Sequence, residues 1–377
     1  MARLYSKRKV ILSLVLEKVL FVLFYPLLLR SNRKNSCINS ILLVEPFQMG
    51  DILSLTPLIE PLKLKFPQCE IYFLTKPSSG AILNYDSRVK KVFTADFPWA
   101  DHGKKKMSFS RIISVLKYSI SLRKNHFDLG IDTRGDVRSQ ALLILTGCRI
   151  RLGYVNYLQS NINLSGHLLT SKMLASSHKH RFEWNLNLLA LLGIGYKELF
   201  PIHFPTFFTE KIQPAKNIFG RFILLHVGGG WVYRRWPEDK WIKLINHLCY
   251  ESWDRIVVIG GIGETDILKR IETGVEDNDK LVFEITTLEV MVIYVMQCSK
   301  MISLDSGPMN LAVCLDKEIV ALFGPGDSAM WSPLNQKGKF IQKTERFPCS
   351  PCLQLDCIFP KQNCMHEIEV EDVVSLL

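Results

Sequence analysis

Apolar residues recur along this chain in two alternating patterns. Short uninterrupted apolar runs closed by Gly, Pro, Asp or Ser read as buried strands, and stretches with apolar residues three and four positions apart read as helices with one covered face. Ile41–Val44 is a run of the first kind, followed by a glycine-containing loop and a helix bearing Ile52, Leu55, Leu58, Ile59 and Leu62. Ile223–Val227 repeats the scheme, with Gly228-Gly229-Gly230 and then a helix from about Pro237 whose inward residues are Trp241, Leu244, Ile245 and Leu248. Further strands are expected at Glu70–Leu74 and Asp128–Asp132 in the first half, and at Arg255–Ile259 and Met301–Leu304 in the second. Strands alternating with helices predict parallel sheets covered on both faces, and the repetition predicts two doubly wound, Rossmann-like α/β domains facing a cleft. The expected division is residues 1–39 as an N-terminal segment, 40–205 as the first domain and 206–377 as the second, with proline-rich Phe200–Pro214 as the linker.

The densest chemistry follows Met301–Leu304. Asp305 ends the strand, Ser306-Gly307-Pro308 makes a tight turn, and Met309, Leu311, Ala312 and Val313 open a helix; a further strand, Glu318–Phe323, leads into Gly324-Pro325-Gly326-Asp327. A Ser-capped helix start offers backbone N–H groups without partners at the positive end of the helix dipole, so an anion is expected there, a diphosphate by preference. Arg234-Arg235 precede another helix start, where cations suit an intervening phosphate; a solvated charge pair is the plainer alternative. Gly260-Gly261-Ile262-Gly263 follows a strand but lacks the full dinucleotide-binding spacing, and Glu264 beyond it reads equally as a ribose ligand or an exposed loop carboxylate. Asp51, after Gly50 in the first loop, fits a helix N-cap and also a general base accepting a proton from a hydroxyl.

Charge is unevenly placed. Of the net +11, residues 1–125 hold 21 Lys/Arg against 8 Asp/Glu, whereas the remainder holds 26 against 28. The basic runs Lys7-Arg8-Lys9 and Lys104-Lys105-Lys106 lack the interleaved aromatics that stack bases, which favours an anionic membrane surface over nucleic acid. Val10–Leu29 is almost wholly apolar between Lys7-Arg8-Lys9 and Arg30, Arg33 and Lys34. Glu17, Lys18 and Pro26 argue for a helix lying in a membrane interface rather than a span, and an intramolecularly packed helix is the other reading.

Six cysteines (Cys37, Cys69, Cys148, Cys249, Cys298, Cys314) are scattered as buried thiols of a reducing compartment would be. Cys349, Cys352, Cys357 and Cys364 crowd together; the spacing suits a structural zinc or iron with His366 as a spare ligand, a packed loop of reduced thiols, or disulfides.

Several of these residues, in order across both halves, resemble glycosyltransferase family 9, the lipopolysaccharide heptosyltransferase group with the GT-B fold. They are Met49-Gly50-Asp51-Ile52-Leu53, Arg235-Trp236-Pro237 with Trp241, Gly261 with Glu264, Asp305-Ser306-Gly307-Pro308-Met309 with Leu311-Ala312, and Phe323-Gly324-Pro325-Gly326 with Trp331 and Pro333. The resemblance runs over residues 40–377, and the four-cysteine tail belongs to it. It implies a cytoplasmic enzyme, peripherally associated with the inner membrane, that transfers a sugar with inversion, heptose from ADP-heptose foremost, to lipopolysaccharide or a related glycan or glycolipid acceptor. No catalytic metal is implied, and no nucleic acid. Asp51 would be the general base; Arg234, Arg235 and the turn Asp305–Asn310 would hold the donor diphosphate, and Glu264 would meet the ribose. Asn310 stands where these transferases usually carry His, which leaves another nucleotide sugar open. A nucleotide-sugar epimerase and a noncatalytic polyanion binder are the alternatives from other classes.

Overall fold

The computed structural model describes residues 7–29, 37–100, 108–155, 166–174, 180–195, 219–352 and 357–377. The chain forms two compact units, Arg3–His203 and Phe204–Leu377. The expected linker Phe200–Pro214 lies outside the described residues.

Each unit is built on a six-stranded parallel sheet. In the first, β1 (Ser40–Glu45), β2 (Glu70–Thr75), β3 (Val89–Thr94), β4 (Leu129–Asp132), β5 (Ile150–Tyr154) and β6 (Ser171–Met173) lie in the order β3-β2-β1-β4-β5-β6. In the second, β7 (Phe222–His226), β8 (Arg255–Gly260), β9 (Leu281–Ile285), β10 (Lys300–Leu304), β11 (Glu318–Phe323) and β12 (Gly338–Gln342) lie in the order β12-β11-β10-β7-β8-β9. Read from its other edge, the second order is the first again, so the two halves share one topology. The strands expected from apolar runs are the buried central ones: Ile41, Leu42, Leu43 and Val44 have no exposed surface. Of the strands not expected from such runs, β3 and β9 are half-covered, whereas β5 is buried beyond Ile150. β3 exposes Lys90, Lys91 and Thr94, and every residue of β9 is only partly buried.

Strand order reverses beside the first strand of each sheet, where β1 pairs with both β2 and β4, and β7 with both β8 and β10. Loops leaving the strand ends at such a point diverge and open a crevice. Register sets Val44 beside Asp132 and His226 beside Ser303. The loops that follow β1 and β4, and those that follow β7 and β10, are therefore neighbours.

In the second unit, Trp236 and Trp241 meet edge-to-face with ring centroids 5.0 Å apart. Trp236 Nε1 donates to the Ile368 carbonyl at 3.0 Å, and Lys240 Nζ to those of His366 and Ile368 at 2.6 and 2.8 Å, which ties the C-terminal segment to the helix Glu238–Cys249.

The N-terminal apolar stretch is a helix, Lys7–Leu29, with Pro26 inside it. Leu14, Leu16, Leu20, Phe21, Phe24, Leu27 and Leu28 pack against Val137, Ile144 and Leu168 of the first unit. Glu17 is fully buried and accepts the His167 N–H at 3.2 Å, so the carboxylate that argued against insertion is used beneath the helix. Among the described residues no helix is long and apolar enough to cross a membrane.

Candidate active site

At the reversal point of the first sheet, β1 ends in Glu45 and the short helix Met49–Leu53 follows. Its N-cap is Gln48; Asp51 is the third helical residue and accepts the Gln48 N–H on Oδ2 at 3.1 Å, a correction to its reading as the N-cap itself. The other oxygen, Oδ1, accepts from Arg134 Nη1 at 2.7 Å. Arg134 follows β4, and its guanidinium lies 3.9 Å from the centroid of the Phe47 ring, a desolvated stacking position. The same Nη1 is 3.6 Å from Glu45, whose second oxygen is 3.2 Å from Arg181. Arg181 is fully buried and also donates to the Thr133 carbonyl at 3.0 Å and to Thr133 Oγ1 at 3.3 Å. Burial pushes Glu45 up to about 7 against the pull of Arg134 and Arg181. Burial likewise pushes Asp132 up to about 7, although the Arg134 N–H and Gln140 Nε2 donate to it.

Asp51 was expected from the sequence; Glu45, Arg134, Arg181 and Asp132 were not. The signal lay in the strands themselves. Glu45 and Asp132 each end an otherwise apolar run on a central parallel strand, where a charge has no packing reason to be. Arg181, inside the helix Arg181–Asn187, carries no comparable mark.

The second unit repeats the arrangement around β7 and β10. Ser306 is the N-cap of the helix Gly307–Cys314, yet its hydroxyl makes no cap bond: it lies 3.5 Å from His226 Nδ1 and 3.2 Å from Ser303 Oγ. The side-chain cap expected here is therefore absent, which leaves the first N–H groups of the helix to another acceptor. His226 is buried, and burial lowers its pKa while Glu264 opposes the fall. Glu264 Oε2 lies 3.8 Å from His226 Nε2 and accepts the Gly261 N–H at 2.7 Å, so it folds back on the glycine turn instead of extending from an exposed loop. Gly228 makes that possible, since any β-carbon there would overlap the Glu264 carboxylate. Arg234 pairs with Asp305 at 2.9 Å, and its buried Nε has no hydrogen-bond partner among the described residues. Arg235 donates through Nε to the Gly229 carbonyl at 3.1 Å. The two arginines are thus anchored, and the solvated-pair alternative does not hold. Gly326 lies against Asp305, since a β-carbon there would overlap its Oδ2. Pro308, Met309 and Asn310 are buried, and the Asn310 amide donates to the Ser306 carbonyl at 3.0 Å, inside its own helix.

Of the six scattered cysteines, Cys69, Cys148, Cys249, Cys298 and Cys314 are buried, whereas Cys37 is exposed, against expectation. None of the ten forms a disulfide. Cys349, Cys352, Cys357 and Cys364 line one cavity with Trp231, Tyr233 and Pro325. Burial, with the neighbouring thiols, raises Cys349 and pushes Cys364 up to about 12, which holds these groups protonated. Among the described residues no group of three or more His, Cys, Asp or Glu stands as a metal-holding set.

Both clusters occupy the place where doubly wound sheets bind their ligands, one rich in paired carboxylates and guanidiniums, the other in glycine turns and a helix start. Comparison with known proteins agrees. The chain is 23% identical over 354 residues to lipopolysaccharide heptosyltransferase 1 of Campylobacter coli, covering 87% of this chain and 95% of that one. It is 22% identical over 350 residues to lipooligosaccharide heptosyltransferase 2 of Campylobacter jejuni, covering 88% and 94%. Among solved structures, the E. coli heptosyltransferase WaaC with ADP superposes with a TM-score of 0.70 at 17% identity, over 89% of this chain and 98% of that chain. A family 9 glycosyltransferase from Veillonella parvula does so with a TM-score of 0.68 at 15% identity, over 90% and 96%. The sequence pattern of glycosyltransferase family 9 (heptosyltransferase) matches residues 115–363. With more than half of its length matched in this way, the chain belongs to glycosyltransferase family 9.

Proposed function

We propose that this glycosyltransferase moves heptose from ADP-heptose to a lipopolysaccharide or related glycan acceptor, with inversion. The observation that carries the reading is Asp51, a carboxylate presented by a short helix at the reversal point of its sheet, in a family whose relatives are named as heptosyltransferases. Asp51 takes the proton of the acceptor hydroxyl as that oxygen bonds to the anomeric carbon, and the bond from that carbon to the diphosphate oxygen breaks, releasing ADP. Arg234, with its unpartnered Nε, Arg235 and the uncapped start of the helix Gly307–Cys314 hold the diphosphate, and Glu264 meets the ribose. Asn310, its amide used inside the helix, supports that site by packing.

The Lys7–Leu29 helix supplies the membrane partner. One face is packed on the first unit, and the opposite face exposes Val15, Lys18, Val19, Val22, Leu23 and Tyr25 at helical spacing. A helix apolar on both faces needs cover on both. Basic residues bracket it in the sequence at Lys7-Arg8-Lys9 and at Arg30, Arg33 and Lys34, which suits the anionic cytoplasmic face of the inner membrane. Two smaller expectations stand on the sequence: catalysis without a divalent ion, from the family resemblance, and a zinc or iron taken up by the tail thiols, from their spacing. Uptake would require their deprotonation and rearrangement from the free-thiol set, and metal analysis of the purified protein decides it.

The test is calorimetric titration in EDTA with ADP, UDP, GDP and ADP-heptose, followed by transfer with the Asp51→Asn variant. Selective binding of ADP and ADP-heptose is expected, and the variant should keep nucleotide affinity while losing transfer. Selective UDP or GDP binding would assign a different donor, and unchanged turnover would remove Asp51 as the base.

A further inference from the structure

Asp51 is not a free carboxylate, because Arg134 holds its Oδ1 at 2.7 Å. That guanidinium is also shared with Glu45 at 3.6 Å and fixed against the Phe47 ring. Glu45 is fully buried, with Arg181 on its other oxygen. Asp51, Arg134, Glu45 and Arg181 therefore form a chain of alternating charge, neutral with Glu45 ionised and positive by one charge with Glu45 protonated.

We propose that Glu45 is a positioning residue for transfer: through Arg134 it sets how firmly the guanidinium grips Asp51, and so how readily that carboxylate turns to the proton of the acceptor hydroxyl. The inference rests on Asp51 being the base. With Glu45 ionised, Arg134 divides its charge between two carboxylates and holds Asp51 less firmly; with Glu45 protonated, the whole charge bears on Asp51. Both forms are populated near neutrality, since burial pushes Glu45 up to about 7. The groups facing Glu45 are Arg134 beyond β4, Asp51 on its short helix, Arg181 on the helix Arg181–Asn187, and Asp132 at the end of β4; Tyr154 on β5 faces Arg181. Asp132 is pushed up to the same region, so it is the competing source of any neutral-pH effect.

The experiment is the pH profile of kcat for transfer, with saturating donor and acceptor, in the wild type and in Glu45→Gln, Arg134→Met and Asp132→Asn, each checked for its melting temperature and ADP affinity. The wild-type kcat is expected to rise roughly three- to tenfold between about pH 6 and about pH 8, the effect of partly relieving an ion pair on a general base. Glu45→Gln and Arg134→Met should each lose that limb, whereas Asp132→Asn should keep it. A limb retained in Glu45→Gln, or lost only in Asp132→Asn, overturns the proposal. If Glu45→Gln does not fold, Arg134→Met decides by itself, its melting temperature showing that the fold is kept: a retained limb overturns the coupling. Transfer that survives Asp51→Asn refutes the base assignment instead, and so separates the two failures.

Discussion

Arg234 Nη1 lies 2.9 Å from Asp305 Oδ2, and the guanidinium rests 5.6 Å from the centroid of the Trp231 ring. The pair joins the turn after β7 to the end of β10, the two loops that flank the reversal point of the second sheet. An arginine already oriented by a carboxylate and an indole loses little freedom when it binds a phosphate.

Arg234→Ala should therefore weaken ADP binding by roughly ten- to a hundredfold, the equivalent of one or two charge-assisted hydrogen bonds. Arg234→Lys should recover the pairing with Asp305 and only part of the affinity, because the forked geometry is lost. Calorimetry with ADP measures both. Wild-type affinity in Arg234→Ala would leave Arg234 as a structural partner of Asp305 alone.

Adjacent glycines offer an internal control. A β-carbon on Gly228 would overlap the Glu264 carboxylate, whereas on Gly229 its nearest neighbour would be Leu304 Cδ1 at 3.5 Å. Gly228→Ala should expel Glu264 from its place beside His226 and destabilise the unit by about 1 kcal/mol, the loss of its hydrogen bond from the Gly261 N–H, because the overlapping atoms are the movable end of the side chain. Gly229→Ala should stay within about 0.5 kcal/mol of wild type. Urea midpoints of the two variants give the comparison, and equal values would show that Glu264 is free to move.

How legible was this molecule in its sequence? The central strands were, because a parallel strand covered on both faces reads as an unbroken apolar run, as Ile41–Val44 and Glu318–Phe323 do. β3, half-covered, had no such run to show, and β9 only the short Leu281-Val282-Phe283 before Glu284. Asp51 was visible because a glycine precedes it in a strand-to-helix loop. The groups around it were not, since Arg134 reaches it, and Arg181 reaches Glu45, from separate elements that only folding brings together. Titratable residues in the last position of central strands, Glu45, Asp132 and His226, are the signal the sequence carries for these sites. Ser306 illustrates the opposite error: position made it a cap, but buried neighbours from β7 and β10 took its hydroxyl.

The outer stripe of the Lys7–Leu29 helix makes a separable prediction. Val19→Glu with Leu23→Glu should lower binding to vesicles containing anionic phospholipid by roughly tenfold or more, because each change removes buried apolar area and adds repulsion. Both positions are exposed and point away from Val137 and Ile144, so the melting temperature should hardly move. Flotation of the purified variant with vesicles, beside its thermal melt, reads both quantities; undiminished flotation would place the membrane contact elsewhere.

Stability should fall with rising pH through Asp132. Its ordinary value is 3.8 and burial pushes it up to about 7, so the folded chain holds this proton more tightly than the unfolded one does. The stabilisation is whole below 3.8 and is lost as pH rises through about 7. Glu45 acts in the same direction, from 4.5 to about 7. Asp132→Asn has no proton to lose at this site, so urea unfolding should show wild type losing ground to the variant between about pH 4 and about pH 7, by on the order of a few kcal/mol. The opposite trend, with wild type gaining on the variant as pH rises, would mean that the Arg134 N–H and Gln140 hold Asp132 ionised in the folded protein and that hydrogen bonding, not burial, governs the end of β4.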